Sequence, residues 1–342
     1  MSMTRKRASI KDVANLAGVS YQTVSKVLNG QNHVSPLKAK AIHEAAKQLG
    51  YTPNHTARNL RAQRSRMIGY SWVTAKADPA HHILDMFLTS MVVEAEAAGY
   101  HLLPFPYREG DEALISSYNE LIVTGRVDGF ILSSLNYNDP RVEFLTAQNF
   151  PFVAFGRSNP ELKFPYVDVD GAAGLRQATE HLIQRGHQRI AALAWAEDSR
   201  VGNDRMEGYL TALQAAGLPI RPDFIARGEG TYEFGLAATE QWLTLSPTER
   251  PTAIVAVTDT MAIGAMRAIH SNNLMPGKDV AVIGFDDTPM ARFLWPPLTT
   301  IRQPIREAGH KCVEILVNVI EGRNVEPQSE LLQPELIVRE TG

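Results

Sequence analysis

Ser9-Ile-Lys-Asp-Val-Ala-Asn-Leu-Ala-Gly-Val-Ser-Tyr-Gln-Thr-Val-Ser-Lys-Val-Leu-Asn29 decides the fold of the N-terminal region. Ser9 with Asp12 three residues on is a capping-box start. Ile10, Val13, Ala14 and Ala17 follow at i, i+3, i+4 and i+7, which is one apolar helical face. Gly18 supplies a turn, and Ser20 caps a second helix whose inward residues are Val24, Val27 and Leu28. Ser35-Pro36 begins a third helix with proline at its first position. Its apolar stripe is Leu37, Ala41, Ile42, Ala45, Ala46 and Leu49, and Gly50 stops it. Two short helices joined by a tight turn and backed by a third describe a helix-turn-helix unit. The same pattern also fits a small helical domain with an ordinary polar face. In a helix-turn-helix the second helix brings its N-terminal residues to base edges in the major groove. Those residues here are Tyr21, Gln22, Ser25 and Lys26; glutamine pairs with adenine, and lysine donates to guanine acceptors.

The charge distribution points the same way. Residues 1–66 hold twelve Lys and Arg against Asp12 and Glu44, a balance of +10, whereas the remaining residues carry −13. A small basic head on a large acidic body is expected when one end meets a polyanion. At 342 residues the chain is long enough for two or three domains of roughly 150 residues each. Its composition, 44% apolar and 21% charged, is that of a soluble globular protein. No apolar run reaches the roughly 20 residues of a membrane span, and the basic start is not followed by a secretory apolar stretch. A single cysteine, Cys312, excludes an intramolecular disulfide framework and a Cys-cluster metal site. The expectation is a cytoplasmic protein with no membrane association.

The residues from Ile10 to Asn29 closely resemble the helix-turn-helix of the lactose-repressor/galactose-repressor (LacI/GalR) family. Tyr21-Gln22 with a basic residue at Lys26 looks like a base-reading set of that family, with Lys where Arg is found. Lysine is a point charge without arginine's bidentate fork. By the same resemblance Asn29, His33 and Ser35 fall on positions that contact DNA or its phosphates. After Gly50, Asn54 can cap a helix of about two turns with Ala57 and Leu60 at i, i+3. So short a helix is marginal in water and needs a partner surface. Arg58, Arg61, Arg64 and Arg66 make that stretch basic. It is similar to the family's hinge helix, in which paired helices of two subunits enter the minor groove. Asn54, Ala57 and Arg58 lie in it, and Leu60 matches the leucine that wedges between base steps. A flexible linker with Leu60 packed on its own domain is the alternative.

From residue 67 apolar strands alternate with helical stretches, the signature of an α/β fold in two similar halves. Residues 67–72, 101–105, 129–132 and 152–155 read as buried parallel strands, followed by 190–195, 252–257 and 280–285. Helical connectors are expected over 204–216 and 259–271. Ligands of such sheets bind beyond the carboxyl ends of the strands. Arg157, Thr258-Asp259 and Asp286-Asp287 stand there, Arg205 opens a helix, and Tyr232 or Trp72 offers a ring. Opposed guanidinium and carboxylate groups with an aromatic face suit a small polyhydroxylated ligand. Taken one at a time, the Asp and Arg residues also fit helix caps or mutual ion pairs.

This body resembles the type I periplasmic-binding-protein fold of the same family's effector domain, through Val257-Thr-Asp-Thr-Met-Ala-Ile-Gly-Ala-Met-Arg-Ala-Ile269, Val282-Ile-Gly-Phe-Asp-Asp287 and Gln333-Pro-Glu-Leu-Ile-Val-Arg339. The resemblance places Arg205, Tyr232, Thr258 and Asp286 on effector-contact positions. Thr258 replaces a frequent Asn, and Arg157 replaces an Asp of lactose-repressor-like proteins, which argues against the same sugar. The fold class it implies is an all-α helix-turn-helix head plus an α/β two-lobed body. The expected domains are 1–50 (head), 51–66 (hinge), 67–163 with 303–324 (first lobe) and 164–302 with 325–342 (second lobe). Crossings between the lobes are placed near Phe164, Gln303 and Val325. Cys312 reads as buried filler. Without a further leucine heptad segment after Arg339, a homodimer is expected. The implied function is a transcriptional regulator, most readily a repressor, binding double-stranded operator DNA and controlled by a small-molecule effector, a sugar or related polyol. A solute-delivering binding protein shares the body but not the basic head. Catalysis finds no support: histidine spacing suits no metal, no Gly-x-Ser-x-Gly elbow or phosphate loop occurs, and no cofactor is called for.

Overall fold

The computed structural model describes residues 8–28, 34–51, 64–72, 82–108, 110–323 and 328–342. They fall into two compact units, residues 1–65 and 66–342. In the smaller, α1 (Ile10–Ala17), α2 (Tyr21–Leu28) and α3 (Pro36–Gln48) enclose a core of Val13, Ala14, Val24, Ile42, Ala45 and Ala46. The Ser9/Asp12 capping box forms, and Gly18 ends α1 in the left-handed conformation that glycine adopts without penalty. Thr23 N–H donates to Ser20 Oγ at 3.2 Å at the start of α2. Ser35 sits at the N-cap of α3 without a side-chain cap bond, with Pro36 in the first turn. The apolar stripe expected of α3 is narrower than its sequence suggests. Leu37, Ala41 and Leu49 are exposed, because a three-helix unit this small has room at its centre for only the Ile42–Ala45–Ala46 face.

Among the described residues, the strands of the larger unit form two six-stranded sheets. The first lobe contains β1 (Met67–Trp72), α4 (His82–Ala97), β2 (His101–Pro106), α5 (Asp111–Val123), β3 (Gly129–Leu132), α6 (Pro140–Ala147), β4 (Phe152–Phe155) and β5 (Tyr166–Val169). The second contains α7 (Gly171–Gln184), β6 (Ile190–Trp195), α8 (Arg200–Ala215), β7 (Ile225–Gly228), α9 (Tyr232–Leu243), β8 (Ala253–Ala256), α10 (Asp259–Ser271), β9 (Ala281–Asp286) and β10 (Thr299–Arg302). The chain then returns through α11 (Ile305–Ile320) and β11 (Ser329–Leu332) to the first lobe and ends with β12 (Glu335–Ile337) in the second. Strand orders are β11-β5-β4-β3-β1-β2 and β12-β10-β9-β8-β6-β7, parallel throughout except β10 with β12. Both sheets reverse direction of winding at their first strand, β1 or β6, which is where α/β sheets receive ligands.

The central strands are short and wholly buried (β3, β8), as helices on both faces of a parallel sheet require. The 101–105 segment, expected to be buried, is instead the half-exposed edge strand β2. Two lobe boundaries shift for a related reason. Tyr166–Val169 pairs with β4, and Ser329–Leu332 pairs with β5, so both extend the first sheet. The first crossing therefore lies at Asp170-Gly171 rather than near Phe164, and the third at Gln333-Pro334; Val325 is outside the described residues. The second lies at Gln303-Pro304, before α11. Crossings one and three are tied together: Asp170 N–H donates to Leu332 O at 2.8 Å and Gln333 Nε2 to Asp170 Oδ2 at 3.3 Å. Cys312 is buried in α11 against the first sheet, where desolvation pushes its thiol pKa up.

Candidate functional site

On the head, Tyr21, Gln22 and Lys26 are exposed along α2, Ser25 is half-buried, and Ser35 is exposed at the start of α3. Val24, on the opposite face of α2, is buried in the head core, and so fixes which side α2 turns outward. Asn29, His33, Asn54, Ala57, Arg58 and Leu60 lie outside the described residues.

In the body, five strands, β3 and β5 to β8, are each followed by a helix with a side-chain cap. Asp139, Asp170, Ser199, Thr231 and Thr258 each accept a bond from a backbone N–H two or three residues on. Ser199 starts α8 four residues earlier than the sequence suggests, so Arg205 sits inside the helix rather than opening it. The arginine is 5% exposed, with its guanidinium carbon 3.7 Å from the Phe285 ring centroid and 5.1 Å from that of Trp195. Nη1 donates to Val257 O and lies 3.7 Å from Asp286 Oδ1. Nε has no hydrogen-bond partner among the described residues. A Cβ at Gly171 would come within 2.9 Å of Arg205 Cγ, so only glycine lets α7 start beside this side chain. Burial lowers the arginine pKa, against the opposing pull of Asp286, Asp168 and Asp259.

Asp286 ends β9 at a positive φ of 124°, sparsely populated for a non-glycine residue, and Asp287 follows at 50°. Asp286 Oδ1 accepts from Gln303 Nε2 at 2.7 Å, which connects the carboxylate directly to the second interlobe crossing. Asp287 is held by Arg302 at 2.7 Å and Arg339 at 2.6 Å; these bonds lower its pKa although burial pulls the other way. Behind them Asp259 is fully buried, accepting from Thr288 N at 2.7 Å, Thr288 Oγ1 at 2.9 Å and Thr300 Oγ1. Burial raises the pKa of both Asp259 and Asp286, and repulsion from Asp286 adds to the rise at Asp259. Asp259, singled out in the sequence as a position after a strand, is a brace for the 286–288 turn.

The structure thus brings Arg205, Asp286 and the Val257-Thr258 corner together. Thr258 Oγ1 is taken up capping α10, accepting from Met261 N at 3.2 Å. Tyr232 starts α9, half-buried. Trp72 packs on the first-lobe core, its ring centroid 6.0 Å from that of Tyr70. Arg157 differs most from expectation. Its Nε contacts Asp168 and its Nη2 contacts Asp204, both at 2.7 Å, so its two forks join β5 of the first lobe to α8 of the second. Arg200 also pairs with Asp204 and donates to Ser158 O across the lobes at 3.3 Å, and Asn203 Nδ2 reaches Tyr137 Oη at 3.4 Å. Beside this ladder lies a crevice of about 500 Å³ lined by Ser134, Leu135 and Asn136 of the first lobe and Trp195, Ser199 and Glu229 among others of the second.

A second buried arginine, Arg141, went unrecognised in the sequence. Asp139 clasps it at Nε (2.9 Å) and Nη2 (2.6 Å), and Nη2 also reaches Ser133 O and Ser134 O. Tyr118 Oη donates to Ser71 Oγ at 2.7 Å beside it, and Tyr70 Oη meets Ser133 Oγ at 2.9 Å. Burial would lower the arginine pKa, but the Asp139 bonds hold it above its ordinary value. The Asp139-Pro140 helix start was the available signal.

Comparison with known proteins agrees with both units. Residues 9–54 match the model of bacterial regulatory proteins of the lacI family, and residues 179–341 match a periplasmic binding protein-like domain. The HTH-type transcriptional regulator CelR of Thermobifida fusca is 34% identical, over 99% of each chain. A structure of a CelR–cellobiose complex superposes with a TM-score of 0.74 at 33% identity, covering 98% of this chain and 100% of that one. A LacI-family regulatory protein from Chloroflexus aggregans is 60% identical with a TM-score of 0.78, over 81% of this chain and 98% of that one. The lac repressor dimer bound to operator and the anti-inducer ONPF gives a TM-score of 0.84 at 31% identity, over 98% and 99%. Among the described residues no helix is long and apolar enough to cross a membrane. With a three-helix head of that family joined to a two-lobed binding body, the chain belongs to the lacI family of bacterial regulatory proteins and is a DNA-binding transcriptional regulator.

Proposed function

We propose that the chain is a cytoplasmic, non-enzymatic repressor that binds a near-palindromic operator as a homodimer and is controlled by a sugar or related polyol held between its lobes. The observation that carries the effector half is the Arg205–Asp286–Gln303 linkage: a buried guanidinium with a free Nε and a carboxylate that touches a lobe crossing. A ligand on this pair would bear directly on the crossing, which is what coupling to lobe angle requires. Arg205, Asp286 and Tyr232 are the assigned effector contacts, with Thr258 and Trp72 flanking and Arg157 acting through Asp204. In the head Tyr21, Gln22, Ser25 and Lys26 read bases, and Asn29, His33 and Ser35 hold the backbone. Asn54, Ala57, Arg58 and Leu60 serve the hinge, with Leu60 wedging a base step. CelR, with its cellobiose complex, and the operator-bound lac repressor dimer support the sugar, the operator and the dimer.

The test is selection of duplexes from a random pool by the full chain, followed by binding of the winner at several salt concentrations with and without sugars. A palindromic site, a steep fall of affinity with salt and a sugar-dependent change of affinity are expected. Equal binding to random duplex would reject the operator role, and no response to any sugar would reject the effector class.

A further inference from the structure

Arg66 is the first residue of the larger unit, and the fold separates it from the basic stretch to which its charge assigns it. Its backbone is held on both sides. The N–H donates to Asp128 Oδ2 at 2.8 Å, and the carbonyl accepts from His101 N–H at 2.9 Å. Asp128 N–H returns a bond to Met67 O at 2.8 Å. The guanidinium carbon lies 4.9 Å from the centroid of the buried Tyr100 ring, and Nη1 is 3.5 Å from Glu321 Oε1. The starts of β1, β2 and β3 and the end of α11 therefore meet at one residue.

Arg66 makes these contacts at a φ of 58°, a conformation in which glycine is at ease and other residues are uncommon. Such a backbone persists only where its surroundings over-determine it, and such positions cluster at switch regions. An ion pair whose arginine is 40% exposed adds little stability by itself. The value of the clamp is positional.

Glu321 is the C-cap of α11, and the other end of that helix is the second crossing, where Gln303 donates to Asp286. Sixteen residues of helix span about 24 Å. The helix is seated without room to slide. A Cβ at Gly309 would collide with Ser90 Oγ of α4, and one at Gly129 would stand 2.9 Å from Leu316 Cδ1 and 3.1 Å from Ile320 Cδ1. The crossing, α11 and Arg66 thus belong to one packed body with the first sheet, and the head and hinge residues join that body through the Ser65–Arg66 peptide bond.

We propose that Arg66 is the coupling joint of the regulator, a positioning residue that fixes the end of the 51–65 stretch to the first lobe, so that the arrangement of the lobes is passed to the DNA-binding segments without slack. The joint rests on the effector-control reading above and names the residue through which that control leaves the body. Coupling is reciprocal, so the same joint must carry a signal from bound operator back to the crossings.

Hydrogen exchange of the full chain, alone and saturated with the duplex selected from the random pool, tests it in the unaltered protein, Arg66→Ala, Arg66→Gly, Arg66→Lys and Glu321→Gln. In the unaltered protein the amides of Asp170-Gly171 and Arg302-Gln303 should change exchange rate by about fivefold or more when duplex binds. With fluorescence anisotropy showing the duplex bound, Arg66→Ala should hold that change within about twofold, and Glu321→Gln should weaken it. Arg66→Lys, which keeps a cation for the ring and the carboxylate, should restore most of it. Arg66→Gly suits the backbone and should keep a Tm close to that of the unaltered protein while losing the signal, a separation that a merely structural residue would not show. The joint is overturned if Arg66→Ala, Arg66→Gly or Glu321→Gln transmits the change in full. No change at the crossings of the unaltered protein would instead reject coupling between lobe arrangement and DNA, and the joint with it.

Discussion

Each lobe of the body buries one arginine at the end facing its neighbour, and the two are treated oppositely. Arg141 in the first lobe is closed on itself: Asp139 takes it in a bidentate grip, and two carbonyls occupy the same Nη2. Arg205 in the second lobe is left open, with an Nε unpartnered among the described residues, a carboxylate at 3.7 Å and two aromatic rings around it. A buried donor without a partner costs about 1–3 kcal/mol. A fold retains such a cost where something else is served. The contrast teaches that burial of charge does not by itself identify a site; the effector proposal rests instead on the incomplete satisfaction of Arg205 beside Asp286.

The comparison breaks most visibly at Arg141. Arg141→Met leaves Asp139 buried without its partner, and a loss of about 3–5 kcal/mol in stability is expected, read from urea unfolding. Arg205→Met should cost markedly less, because its environment is already largely aromatic; equal losses would erase the distinction.

Asp286→Asn sharpens it next. Any sugar-induced rise in Tm should vanish while the unliganded protein stays folded. The pH dependence gives an independent reading. Asp259 and Asp286 have folded-state pKa values above their unfolded ones, so the folded state binds more protons. Their contribution is most favourable below about pH 4 and is lost as pH rises toward neutrality. Wild-type Tm should therefore fall more between about pH 5 and about pH 7.5 than that of Asp286→Asn. Parallel profiles would mean that Asp286 ionises normally.

The smallest effect is expected at Arg157. Arg157→Ala removes the link between Asp168 and Asp204 but leaves Arg200 on Asp204. Solution scattering should report a modest increase in radius of gyration without ligand, and added salt should shrink the difference from wild type. A scattering curve identical to wild type would make the bridge incidental.

How much of this was legible depended on what each residue faces. The strands at 129–132, 152–155 and 190–195 could be bounded from sequence because helices cover both faces, leaving unbroken apolar runs. β5 (Tyr-Val-Asp-Val), β7 (Ile-Ala-Arg-Gly) and β10 (Thr-Thr-Ile-Arg) were not recognised, since Asp168, Arg227 and the threonines point at partners formed only in the fold. Asp286 was singled out by its position after a strand, a rule that depends on topology alone, and Arg205 by its place near a helix start. Arg141 was missed because an arginine on a helix is ordinarily solvated. The ion pairs of Arg157 were not legible because its partners, Asp168 and Asp204, are 11 and 47 residues away.

The return of the chain through β11 and β12 also sets the order in which the molecule is made. β5, paired with β4, gains its second neighbour only when Ser329–Leu332 has been synthesised, after β6 to β10 of the second lobe, and β10, paired with β9, waits for Glu335–Ile337. Until then each nascent sheet presents an unpaired edge, the kind of surface on which partly made chains associate wrongly. The cleft, which needs both lobes and all three crossings, is completed last. No ligand can support the chain while it is being translated, and the burden of avoiding misassembly falls on the two halves separately.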